Sequence, residues 1–100
     1  MIIDVHTHIF SGDLCRDRSA GLADGQFSAI YDSEKSRLTD HRGLMAAMEE
    51  AGVDYAVALG FPWEKEELCA AQNEYLRTAS DLSGGAIIPF GSVPVHPGID

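Results

Sequence analysis

Apolar and polar positions alternate along the chain in blocks whose period shifts from two to about 3.6 and back, the two periods of strand and helix. Residues 2–10 open with Ile2 and Ile3 and carry the β-branched Val5, Thr7 and Ile9 at every second position, which predicts a strand. Residues 11–38 are mostly polar and are broken by Gly12, Gly21 and Gly25. Only Phe27, Ile30 and Tyr31 offer bulk to bury there, so this long connection reads as a lid, a binding loop or a disordered stretch. Thr39 then reads as the N-cap of a helix with Leu44, Met45, Met48 and Ala51 on its core side and Gly52 as a left-handed stop. Residues 53–59 are short and nearly all apolar, the pattern of a strand covered on both faces, and 60–63 end it. Glu64, Glu66 and Glu67 crowd the start of a second helix, where the positive end of the helix dipole favours carboxylates. Leu68, Ala71, Tyr75, Ala79 and Leu82 continue it on one face as far as Gly84 and Gly85. In the last apolar run, 86–95, Pro89 and Pro94 cannot donate ladder hydrogen bonds, which confines regular strand to about residues 90–93.

The resulting order of strand, loop, helix, strand, helix, strand is an α/β pattern. Parallel strands must be covered on both sides or closed into a barrel, and three strands achieve neither. A (β/α)8 TIM barrel runs to about 250 residues. The 100 residues are therefore expected to form the first two to three βα units of such a barrel, the N-terminal part (1–100) of one domain, incomplete in this chain and with 11–38 as its long first loop.

Charge narrows the classes of partner. Sixteen acidic residues against seven Lys and Arg, a net charge of −9, argue against nucleic acid, which needs basic residues gathered on one face. No apolar run approaches the about 20 residues of a membrane span, and Asp4 and His6 interrupt the apolar start with no basic segment before it, so a cytoplasmic location is expected. Cys15 and Cys69 fit no short-spaced metal pattern and read as two reduced thiols.

The chemistry concentrates in Asp4-Val5-His6-Thr7-His8. On a strand, residues two apart share a face, so Asp4, His6 and His8 are expected to point one way and Ile3, Val5, Thr7 and Ile9 the other. Two imidazoles about 6–7 Å apart along a strand can converge on one ion. Both would stand at the C-terminal end of the strand, where barrel enzymes gather catalytic groups. A pair of buried, hydrogen-bonded histidines is the plainer alternative. Asp4 reads either as an acceptor that orients an imidazole or as a carboxylate tied to backbone amides. Phe61 and Trp63 could line a substrate pocket or cover the apolar top of the fold. Arg16 and Arg18 could grip a substrate carboxylate or lie solvated in the loop, and His96 follows the last apolar run near the same end. His41 reads as a solvated helix-start residue.

The segment 3–8, read with Met48-Glu49-Glu50-Ala51-Gly52-Val53-Asp54, Ala56-Val57-Ala58-Leu59-Gly60, Asn73-Glu74-Tyr75-Leu76 and Pro89-Phe90-Gly91-Ser92-Val93-Pro94, resembles the amidohydrolase superfamily. The resemblance is to the branch that includes amidohydrolase-related proteins and aminocarboxymuconate-semialdehyde-type decarboxylases. It implies that His6 and His8 are metal ligands on the first strand of a (β/α)8 barrel, with further ligands beyond residue 100. It also implies a divalent cofactor, zinc before manganese or iron, and a small-molecule substrate. The activity it implies is hydrolysis of an amide, ester or lactone by metal-activated water. A metal-dependent decarboxylase (a lyase) on the same fold is the alternative, as is a non-catalytic fragment that needs the rest of the barrel. A phosphoesterase of the polymerase-and-histidinol-phosphatase type also opens with a histidine pair but matches the later segments less well. Self-association as a homo-oligomer stays open.

Overall fold

The computed structural model describes residues 1–31 and 37–93. In chain order its elements are β1 (Ile3–Thr7), α1 (Gly12–Arg16), α2 (Ser19–Leu22), α3 (Gly25–Tyr31), α4 (His41–Ala51), β2 (Tyr55–Leu59), α5 (Glu66–Leu82) and β3 (Ile87–Phe90). The three strands are all parallel and lie in the order β1-β2-β3, so the protein is a mixed α/β fold around a small parallel sheet.

Helix α4 starts at Asp40, one residue later than the sequence implied. The Asp40 side chain accepts from the Gly43 amide at 3.0 Å, while the Thr39 carbonyl is taken by the Phe10 amide at 2.9 Å. Its end is as expected: Gly52 has φ 72°, and its amide reaches back to the Met48 and Glu49 carbonyls. Met48 is buried and Leu44 and Met45 pack on the core, but Ala51 is exposed. Helix α5 carries Glu66 and Glu67 in its first turn, with Glu64 just outside. Its buried stripe is Cys69, Gln72, Leu76 and Ala79, rotated from the stripe expected, and Ala71 and Leu82 face solvent. Gln72 lies in that stripe with its amide bonded to three groups inside the protein. Cys15 and Cys69 are both free thiols.

Two expectations about the strands fail for instructive reasons. In β2, Ala56 and Ala58 are buried, whereas Tyr55 is exposed and Val57 and Leu59 are half-buried. Leu44, Met45, Leu76 and Ala79 join Ile9, Ala58 and Ile87 in one cluster, so α4 and α5 cover the same face of the sheet. The other face is uncovered among the described residues. Regular β3 runs over Ile87–Phe90 rather than 90–93, and it contains Pro89. The Ala86 and Phe90 carbonyls accept from the Ala56 and Gly60 amides, which turns the even-numbered positions toward β2. The Pro89 nitrogen therefore faces the outer edge, where no donor is required.

The connection 11–38 is not a structureless loop where it is described. Ser11 Oγ accepts from the Leu14 amide to start α1, and α3 buries Phe27 completely. Phe27 stacks on Trp63 at 4.9 Å between ring centroids and meets Phe10 and Phe61 edge-on. Together with Cys69 these rings form a second core cluster, which Leu14, Leu22, Tyr31 and Leu38 flank. Ile30, by contrast, is exposed. Asp24, 1% exposed, fastens this layer to the rest of the molecule. One carboxylate oxygen accepts from the Glu64 and Lys65 amides at 2.9 and 3.1 Å and the other from the Gln26 and Phe27 amides at 3.1 and 3.4 Å. It thus serves the starts of α3 and α5 at once, consuming donors that neither helix can satisfy internally. Among the described residues no helix is long and apolar enough to cross a membrane.

Candidate metal centre

His6 and His8 meet at the end of β1. Their Nε2 atoms stand 3.1 Å apart and their rings are edge-on with centroids at 5.0 Å. The strand reaches this arrangement through an irregularity. Asp4 pairs with Ala56 and Thr7 with Ala58, so β1 fits one residue more than β2 into the interval. Thr7 then sits on the helix-covered side beside Ala58, its hydroxyl donating to the Val57 carbonyl at 2.8 Å, and His8 falls on the open face, where His6 meets it. The extra residue also breaks the alternation expected to align Asp4 with the two histidines. Asp4 instead accepts the His6 backbone amide at 3.1 Å, the local backbone role that was one of its two sequence readings.

The electrostatics at His8 favour its neutral ring. Burial lowers the pKa of His8 below its ordinary value, a charge on His6 would lower it further, and the Leu59 backbone pulls weakly the other way. Nε2 of His8 is engaged by His6, and Nδ1 is buried without a well-formed hydrogen bond among the described residues, the Leu59 backbone acting on the ring only weakly. Two ligand nitrogens at about 2.0–2.1 Å from a tetrahedral zinc stand about 3.3 Å from each other. The observed separation of 3.1 Å fits that requirement, as it fits an N–H···N hydrogen bond between the two rings. Among the described residues no group of three or more His, Cys, Asp or Glu is gathered about one point.

The other sequence candidates are placed elsewhere. Phe61 and Trp63, each 3% exposed, belong to the aromatic core. Trp63 also borders a cleft of about 280 Å³ between α1 and α5, walled in addition by Phe10, Leu14, Leu68 and Tyr75; His6 and His8 do not border it. Arg16 pairs with Asp13 on the surface, where an exposed ion pair contributes little. Arg18 donates to the Tyr31 carbonyl at 3.0 Å. His96 lies outside the described residues. His41 is not merely solvated: its amide donates to the Tyr75 hydroxyl at 2.8 Å and its Nδ1 lies 3.0 Å from the same oxygen. Burial raises the Tyr75 pKa, and the His41 amide partly offsets that.

Sequence reasoning passed over Gln72 and Asn73, which reach the C-terminal ends of all three strands. Gln72 Nε2 donates to the Ile9 carbonyl after β1, and its Oε1 accepts from the Phe61 amide and Trp63 Nε1 after β2. Asn73 pairs with both backbone groups of Ser92 after β3, at 2.8 and 2.9 Å. Ser92 Oγ in turn donates to the Phe61 carbonyl at 2.8 Å. Gly60 lets Ser92 come this close, since a Cβ there would lie 2.7 Å from the serine side chain. The signal available was a glutamine in the middle of the stripe Cys69, Leu76, Ala79, a polar residue at a core position. Comparison of the chain with protein-family profiles, with curated proteins and with solved structures returns no match.

Proposed function

We propose that this chain is the opening βα portion of a metal-dependent (β/α)8-barrel hydrolase of the amidohydrolase type, with His6 and His8 as two of its metal ligands. The observation that carries the reading is the convergence of the two Nε2 atoms to 3.1 Å on the uncovered face of a parallel sheet, at the C-terminal end of its strand. When bound, a divalent ion supplies Lewis acidity, polarising a carbonyl oxygen and acidifying water toward pKa about 7. The chain's own contribution is to present the two imidazoles side by side, with His8 biased to its neutral form. Burial of His8 disfavours its protonated form, which could not ligate. The Thr7 hydroxyl bond to Val57 fixes the backbone between the two rings. The aromatic layer of Phe10, Phe27, Phe61 and Trp63 closes the adjoining loops against water. The substrate in this reading is a small amide, ester or lactone, and a decarboxylase acting through the same ligands is the neighbouring alternative.

A second reading, a module that functions only when docked on the rest of its chain or on copies of itself, draws on the bare face, where Ile3, Tyr55 and Phe90 are 48%, 38% and 55% exposed. Metal analysis separates the two. Protein purified without chelator is expected to carry zinc, manganese or iron, and His6→Ala and His8→Ala are each expected to lower that content and to abolish turnover in the complete barrel. Full metal content and activity in both variants would eliminate the reading.

A further inference from the structure

We infer that Gln72, a residue of α5 that touches neither histidine, is a positioning residue for the metal centre, setting the direction of His8 through the Ile9–Phe10 peptide, one residue beyond it. This rests on the metal reading of His6 and His8. Gln72 is 7% exposed, and its side chain makes three hydrogen bonds to groups that would otherwise be buried without partners. The carboxamide oxygen is committed to the Phe61 amide at 2.9 Å and to Trp63 Nε1 at 2.6 Å, which fixes the amide plane. The –NH2 group is thereby aimed at the Ile9 carbonyl, 2.9 Å away, and Ile9 directly follows His8 in the chain. The Ile9 side chain is itself fully buried, so its peptide has little freedom once the carbonyl is held. The N–H of that same peptide, on Phe10, donates to the Thr39 carbonyl at 2.9 Å, and on the other side of His8 the Thr7 hydroxyl donates to the Val57 carbonyl.

His8 thus stands between Thr7, tied by its hydroxyl, and the Ile9–Phe10 peptide, pinned at both its carbonyl and its amide. A ligating imidazole is usually oriented by a hydrogen bond from its second nitrogen. Here Gln72, from another element, also reaches the backbone beside His8 and limits how the ring is carried. Asn73, its neighbour, bonds the backbone of Ser92 at the end of β3 instead, which makes it the comparison site.

The test titrates the protein with cobalt(II), whose visible ligand-field bands report the geometry of the ligands as well as occupancy. Gln72→Glu keeps an acceptor for Phe61 and Trp63 but removes the donor to Ile9. Its added negative charge would by itself strengthen cation binding, so a loss reports positioning. The expected result is cobalt binding weakened about tenfold, the lower end of what outer-shell partners of metal ligands contribute. An altered band shape should accompany it, with an unchanged far-ultraviolet circular dichroism spectrum. Asn73→Ala should leave both affinity and band as in the wild type. Wild-type affinity and spectrum in Gln72→Glu overturn the inference and leave the histidine reading standing. Absence of cobalt bands from the wild-type protein, or bands that survive His8→Ala, overturn that reading and this inference with it. Should Gln72→Glu not fold, Gln72→Met replaces it. Failure of both to fold also overturns the inference, since Gln72 would then support the fold and not the aim of a ligand.

Discussion

On one side of the sheet Ala56, Ala58 and Ile87 are wholly buried under α4 and α5, while on the other Ile3, Tyr55 and Phe90 stay about half exposed. The small alanines of β2 let the helices approach closely; of the larger residues beside them, Val57 and Leu59 are only half-buried and Tyr55 is exposed. The same division runs through the polar groups. On the covered side and above it, Asp24 and Gln72 have their hydrogen-bonding capacity met several times over. On the open side His8 keeps a buried nitrogen unmatched. Packing and hydrogen bonding therefore hold the scaffold on one side, and unspent bonding capacity collects on the other, which is where a ligand would be recruited.

Substitutions can break this contrast. The largest effect is expected at Phe27, fully buried between Trp63 and Phe10: Phe27→Ala should cost about 3–5 kcal/mol in urea unfolding. Phe90→Ala, on the open face, should cost about 1 kcal/mol or less. Equal losses at the two sites would mean that the open face is covered in solution. Asp24→Ala comes next, at about 1–3 kcal/mol, because it strands buried amides of α3 and the α5 entry. Asp24→Asn, which retains one acceptor oxygen, should recover part of that loss.

The smallest effect is a pH dependence. Because the folded pKa of His8 is lowered, the unfolded chain takes up that proton first. The His8 contribution is thus intact above about pH 6.5, is lost as pH falls from there toward the folded value, and levels off below it. Urea midpoints in metal-free buffer at pH 7.5 and 5.5 should show this decline in the wild type and less of it in His8→Ala. The decline should be shallow, since the ring is only partly shielded from solvent.

The periodic features of the chain were readable from sequence: β1 and β2, α4 with its Gly52 stop, the body of α5 and the histidine pair, while β3 lies earlier in its apolar run than expected. Local composition determines each of these, through β-branched residues, helix-favouring stripes and a glycine at positive φ. What escaped was non-local. Nothing near Asp24 reveals that it serves amides 40 positions away, and the polar run around it conceals that Phe27 has an aromatic socket waiting in residues 61–63. The alternation rule failed at Asp4 because one additional residue in β1 shifts its phase, and such an insertion leaves no mark in the composition of a strand. Coverage of β2 was misjudged because an apolar strand reads alike whether one face or two are packed.

Pro89 has one more consequence. A row of unpaired amides on an outer strand is a template on which foreign strands can grow. The imide nitrogen of Pro89 points into that row and leaves a gap in it, so any strand laid alongside β3 must forgo a bond at mid-length. Indiscriminate stacking of copies through that margin is discouraged, and a neighbouring segment has to be anchored by something other than a full ladder.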